Sequence, residues 1–282
     1  MKRRFIVLLA IAALVAAACG GGDGDSGGDD LLSSIEEEGV LTVSTDPAYP
    51  PQSSLNEETG EYEGFDIDVA TAIAEAIGVE VAWEAPAWET IIAGSWNDRW
   101  DLSVGSMTIT PEREEVLHFS TPYYYTPAVV AVLADDASIS DLSTDLDGQA
   151  IAVCGGCTYD FYLQGNLEIP GETFDFVIDD PEIITTDTDT TAIEQLVQGR
   201  VVAAMSSATT IQAAIDEGLP IKVVGDPLFY EPLAAAIDAS ATQDTESFVA
   251  RVSEIIEGMH EDGSLSELSN QWFGLDLTTK AS

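Results

Sequence analysis

From residue 40 onward the apolar periodicity of the chain changes every ten residues or so, and this alternation restricts the fold more than any other feature. "VLTVST" (40–45) is a short β-rich run. In "GFDIDVATAIAEAIG" (64–78), Val69, Ile73 and Ile77 stand four apart on one helical stripe, and Gly78 is placed to end the helix. "VEVAWE" (79–84) predicts a strand, "ETIIAGSW" (89–96) a short helix, and "DLSVGSM" (101–107) a strand running into a loop. The alternation continues with strand "QAIAVC" (149–154), a helix from about Thr158, and strand "TFDFVI" (173–178). Next comes helix "TAIEQLVQG" (191–199), where Thr191 and Glu194 read as a capping box and Gly199 as the stop. Strand "VVAAMSS" (201–207), a helix near 208–217 and strand "IKVVG" (221–225) complete the block. Two amphipathic helices close the chain, the first carrying Phe248, Val252, Ile255 and Met259, the second in "GSLSELSNQWFG" (263–274). Strands alternating with helices predict an α/β architecture with mostly parallel sheets.

The first thirty residues follow a different logic. Lys2, Arg3 and Arg4 precede an uncharged apolar run, Phe5–Ala18, which is the layout of an export signal and too short for a membrane span. Ala16, Ala17 and Ala18 before Cys19 resemble a bacterial lipobox, although leucine stands five places before the cysteine, at Leu14, and not three. The expectation is a lipoprotein signal peptide over 1–18, a lipid on Cys19 and a flexible Gly/Asp tether over 19–30, with an ordinary secretory signal as the alternative. The Arg3-Arg4 pair leaves the general secretory and twin-arginine routes both open.

Charge excludes two classes of partner. With 9 Lys and Arg against 51 Asp and Glu, the net charge of −42 repels nucleic acid and anionic lipid headgroups. Because 45% of residues are apolar, this acidity sits on a foldable protein and not on a disordered one. Such a surface is suited to high salt.

Four stretches, "GFDIDVATAIAEAIG", "SMTITPERE" (106–114), "FSTPYYYTPA" (119–128) and "GSLSELSNQWFG", resemble in content and order the polar amino-acid-binding proteins of bacterial ABC importers, solute-binding protein family 3. The resemblance runs from about residue 35 to 276. It implies a two-lobed periplasmic-binding-protein-like fold of type II, with two parallel-sheet-based lobes joined by two crossing strands. Lobe 1 would comprise 31–127 and 231–282, and lobe 2 would comprise 128–230. "TPYYYTPAVV" (121–130) and "DPLFYEPLAAA" (226–236) would make the crossings. The implied function is that of a monomeric extracytoplasmic substrate-binding component. It would hold an amino acid or closely related small solute between the lobes and deliver it to a membrane permease, with no cofactor, metal or catalytic residue. The alternative on the same fold is a dehydratase of the prephenate or arogenate type, for which the Thr108–Arg113 stretch offers no acid or base besides Glu112.

The same resemblance assigns the site. Arg113 matches the arginine that grips the ligand carboxylate, a task suited to a planar guanidinium. Ser106 and Thr108 match hydroxyl positions contacting the ligand's amino and carboxylate groups, and Tyr49 and Trp88 the aromatics that sandwich its side chain. Asp46 either faces a cationic side chain or caps the following turn. In "GGCTYDFYL", Thr158 matches a threonine at a helix start that faces the carboxylate, with Cys157 replacing the preceding threonine. Ser207 stands where the family carries the aspartate that neutralises the ligand's ammonium, so either another acid, such as Asp46 or Glu231, takes over or the ligand is not an ordinary α-amino acid. Cys154 and Cys157 in "CGGC" are expected to form a disulfide outside the cytoplasm, a redox motif and a zinc site being the alternatives.

Overall fold

A computed structural model describes residues 30–280. The expected signal peptide, Cys19 and nearly all of the tether lie outside the described residues. Among those described, no helix is long and apolar enough to cross a membrane.

Helix α1 (Leu31–Glu38), capped by the Asp30 carboxylate, leads into β1 (Val40–Ser44) and a small antiparallel sheet of β2 (Ala48–Tyr49), β3 (Ser53–Leu55) and β4 (Tyr62–Glu63). Then follow α2 (Phe65–Ile77), β5 (Glu80–Glu84), α3 (Trp88–Ile92), β6 (Leu102–Thr108), the single turn α4 (Pro111–Glu114) and β7 (Leu117–Phe119). Strand β8 (Tyr124–Leu133) leads away to α5 (Leu142–Asp145), β9 (Ala150–Cys154), α6 (Thr158–Leu163), β10 (Glu182–Thr186), α7 (Asp189–Val197), β11 (Ala203–Ser207) and α8 (Ala208–Asp216). The 18-residue β12 (Ile221–Asp238) brings the chain back to α9 (Glu246–Asp262) and α10 (Ser264–Phe273).

The main sheet runs β10-β9-β11-β8-β12-β6-β1-β5, with β7 also on β12. Its flanks are parallel: β1 pairs with β5 and β6, and β9 with β10 and β11. Antiparallel pairing appears only where β8 and β12 take part. Those two strands join the flanks, pairing Val130 with Val224 on one side of a bulge and Ala128–Tyr124 with Phe229–Leu233 on the other. The bulge needs its glycine: Gly225 has φ +74, and a Cβ there would stand 2.8 Å from Leu142.

Each flank buries its own apolar set. On one side Leu41, Val43, Phe65, Val69, Ile73, Phe248 and Val252 pack between sheet and helices. On the other, two sets cover the two faces of β8, β9 and β11, one around Tyr159, Tyr162 and Phe229, the other around Ile193, Leu196 and Ile211. The stripes read from α2 and α9 are the buried faces of those helices.

Two expectations differ from the structure. Residues 173–178 form no strand, and the place beside β9 belongs to β10. The backbone there is held by one side chain: the Tyr162 hydroxyl donates to Asp175 O at 2.8 Å and accepts from Val177 N–H at 3.0 Å, while Phe174 packs on Tyr162 and Phe229. Helix α7 starts before Thr191, because Thr188 is the cap and its hydroxyl accepts from Thr191 N–H at 3.1 Å.

Candidate functional site

The carboxyl ends of β6, β9 and β10, the turn after β1 and the middle of β12 converge on one cleft, where an open α/β sheet holds ligands. Asp46, Tyr49, Trp88, Ser106, Thr108, Arg113 and Thr158 all line it. Ser207 does not line it. It caps α8, accepting from Thr210 N–H at 3.2 Å, and meets Gln52 Nε2 at 3.3 Å from the opposite flank.

Arg113 is the cation of the cleft, 4% exposed. Thr110 and Pro111 start the turn that carries it, the Thr110 hydroxyl accepting from Arg113 N–H. The side chain reaches back to Thr108 O (2.9 Å) and across to Gly156 O (3.0 Å), and its guanidinium lies 5.2 Å from the centre of the Trp88 ring. Its Nε has no hydrogen-bond partner, and among the described residues no carboxylate lies within ion-pair distance. Burial pulls its pKa down to about 10, against the pull of the Glu231 and Glu112 charges.

The hydroxyl residues are already engaged. Thr108 Oγ1 donates to Glu231 Oε1 at 2.7 Å, Thr158 Oγ1 donates to the same oxygen, and Tyr159 OH donates to Oε2 at 2.8 Å. Burial raises the Glu231 pKa in spite of these three donors. Ser106 sits in the left-handed region (φ +52), fixed by its contacts: its N–H donates to Tyr123 OH at 3.0 Å and its hydroxyl to Asp66 Oδ2 at 2.7 Å. Asp66, wholly buried in the first turn of α2, also accepts from Tyr123 OH at 2.9 Å, and burial pushes its pKa up to about 7.

Asp46 caps the following turn, accepting from Ala48 N–H at 2.8 Å, and lines the cleft as well; burial raises its pKa. The sulfurs of Cys154 and Cys157 stand 2.08 Å apart, a disulfide distance, on the loop ahead of Thr158.

Asp189 is the residue that sequence reasoning missed. It opens α7, lines the cleft, and is 6% exposed with an Oδ1 that makes no hydrogen bond. Burial, with the charges of Asp46 and Glu231, pushes its pKa up to about 7. Its signal was present in "TTDTDTTA", two acids at the mouth of a strand-to-helix loop, but reading Thr191 as the cap left Asp189 outside the helix.

The cleft holds about 30 Å3, the space of a water or two. The two flanks of the sheet meet across the cleft. Bonds now span them: Arg113 to Gly156 O, Gln52 Nε2 to Thr209 Oγ1 at 2.7 Å, and Thr190 Oγ1 to Ala48 O at 2.7 Å.

A cleft between two α/β halves, with a buried guanidinium lacking an anion, is what a binding protein for small anionic or zwitterionic solutes requires. The family model for bacterial extracellular solute-binding proteins, family 3, matches residues 41–275. The chain belongs to that family. It is therefore an extracytoplasmic solute-binding protein with a type II periplasmic-binding-protein fold. Among its relatives, the probable amino-acid-binding protein YxeM of Bacillus subtilis is 28% identical over 88% of this chain and 89% of its own. The L-cystine-binding protein TcyJ of Escherichia coli is 28% identical over 87% of both chains. The crystal structure of the ancestral amino acid-binding protein AncCDT-1, a precursor of cyclohexadienyl dehydratase, is 29% identical with a TM-score of 0.74, covering 86% of this chain and 99% of that one.

Proposed function

We propose that this protein is the substrate-binding component of an ABC importer, that its solute is an α-amino acid or close relative, and that Arg113 receives the solute's carboxylate. The observation that carries this reading is the Arg113 guanidinium, buried in the cleft with no ion pair. A buried charge without a partner is costly, and a bidentate carboxylate offsets that cost. Trp88 backs the guanidinium, Tyr49 and Asp46 surround the side-chain end, and Ser106, Thr108 and Thr158 complete the wall. Residues 31–127 with 231–282, and residues 128–230, act as the two lobes. A solute touching both favours their closed arrangement, which the permease recognises. The protein works as a monomer held to the membrane by a lipid on Cys19, with Cys154 and Cys157 joined as a disulfide.

The dehydratase alternative needs a proton donor or acceptor in the cleft. Both oxygens of Glu231 are taken up by hydroxyls, so Asp189, with an unbonded Oδ1, is the group best placed for that role, and turnover has to be measured directly.

The test is a thermal-shift screen of residues 31–282 against the common L-amino acids, L-cystine and prephenate, followed by calorimetry on Arg113→Met. At least one amino acid should raise the melting temperature of the native protein. Arg113→Met should lose that response while its solute-free melting temperature stays unchanged or rises. Turnover of prephenate, or an Arg113→Met variant that binds normally, would overturn the reading.

A further inference from the structure

An α-amino acid brings an ammonium group into the cleft as well as a carboxylate, and this inference rests on the binding function proposed above. A cation leaving water needs an anion that is not already spoken for. Position 207, the expected place for that anion, carries a serine that does not line the cleft and whose hydroxyl serves Gln52, Thr209, Thr210 and the start of α8. The three carboxylates that line the cleft differ in what they have left to give. Glu231 accepts from Thr108, Thr158 and Tyr159. Asp46 has an oxygen committed to Ala48 N–H and is only partly buried. Asp189 is almost wholly buried, and its Oδ1 has neither a hydrogen bond nor an ion pair among the described residues.

A buried carboxylate oxygen without a donor is rare, because leaving it so costs the group's hydration. Local structure explains part of its tolerance: Asp189 is the first residue of the nine-residue α7, where the helix's amide dipoles favour an anion. That cannot hydrogen-bond Oδ1 itself.

We propose that Asp189 is the carboxylate that receives the solute's ammonium group, so that the ammonium site lies at the start of α7 and not at the end of β11. Arg113 and Asp189 then form the two poles of the cleft, each buried and each without a counter-ion. Ser207 keeps only a capping role.

The experiment measures binding of the twenty common L-amino acids and L-cystine to four forms of residues 31–282: native, Asp189→Asn, Asp189→Ser and Ser207→Ala. For the amino acid that binds the native protein best, the corresponding 2-hydroxy acid is measured in parallel. Loss of one partner of a buried charge pair weakens binding by about 30-fold or more. Both Asp189 variants should therefore weaken the amino acid by at least that factor. Their solute-free melting temperatures should not fall, because Oδ1 has no hydrogen bond to lose; a merely structural Asp189 would lower them. The penalty for replacing ammonium by hydroxyl should be much smaller in Asp189→Asn than in the native protein. Ser207→Ala should leave the preference for ammonium over hydroxyl unchanged. Asp189 variants that bind like the native protein, or that keep its full preference for ammonium, would overturn the assignment while leaving the binding function standing. A native protein that binds no member of the panel would overturn the binding function and this inference with it.

Discussion

At the residue scale the largest energetic oddities are buried carboxyls. Asp66, fully buried beneath Ser106 and Tyr123, has its pKa pushed up to about 7, first by burial and further by the charge of Asp46. In the unfolded chain such a group titrates near 4. Between these two values the folded protein holds a proton that the unfolded one has released, so stability falls as pH rises from about 4 to about 7. The acids with lowered pKa, Asp30, Asp136, Asp145, Asp262 and Asp276, act in the opposite sense, but only below about pH 4. The melting temperature of the native protein should therefore rise on acidification from pH 7.5 to 5, and Asp66→Asn should show a weaker rise, as read by calorimetry across that range. Equal slopes for the two proteins would remove Asp66 from the account. What the sequence made legible here was set by rarity and chemistry. Arg113 is conspicuous in a chain with 9 cations, and its cleft position follows from the turn that Thr110 and Pro111 begin. Asp66 looked like one more acid on an amphipathic helix. Its burial depends on Ser106 and Tyr123, 40 and 57 residues away, which no local pattern displays.

At the scale of elements, alternation was enough to find β1, α2, β5, β9, α8 and α9, because each buries a stripe of its own sequence, except that β5 only half-buries Val81 and Trp83. It failed at 173–178, where alternating Phe174, Phe176 and Ile178 look like a strand but a tyrosine hydroxyl takes the backbone groups a neighbouring strand would have used. Propensity describes the segment, and tertiary contact decides it. The loop between β9 and α6 shows the same dependence with functional weight. Gly156, at φ +71, offers its carbonyl to Arg113 and its N–H to Asp160, while Cys154 and Cys157 flank it with their sulfurs at disulfide distance. In the chain-entropy account, closing so short a ring contributes about 2 kcal/mol. Replacing both cysteines by serine should lower the melting temperature by a few degrees. Solute binding should weaken more than that loss of stability alone implies, because the loop bearing Thr158 and the Gly156 carbonyl loosens. Thiol titration of unfolded, unreduced residues 31–282 should find no free cysteine; two free thiols would remove the disulfide, and unaltered affinity in the serine variant would remove its influence on the cleft.

For the whole molecule, the two-lobed α/β arrangement was legible because local periodicity and four ordered motifs agreed. The pairing of β8 with β12 could be guessed only from their Pro and aromatic content. The total charge raises a separate question of stability. Against 51 acids the described residues show two ion pairs, Arg251–Glu254 and Lys280–Glu172, both at the surface. Exposed pairs of this kind contribute about 1 kcal/mol or less each, so they do not offset the mutual repulsion of the remaining carboxylates. Repulsion of that origin is long-ranged in dilute buffer and short-ranged in brine: the screening length falls from about 10 Å at 0.1 M salt to about 3 Å at 1 M. The folded chain crowds these charges together more than the unfolded one, so screening should favour the fold. The melting temperature is therefore expected to rise steadily with sodium chloride from 0.1 to 1 M at pH 7.5. The rise should shrink as pH approaches the isoelectric point of about 4.1, where the net charge disappears. A rise of the same size at both pH values would identify salting-out of apolar surface as its cause, and a flat response at pH 7.5 would show that the carboxylates are spaced widely enough for water alone to screen them.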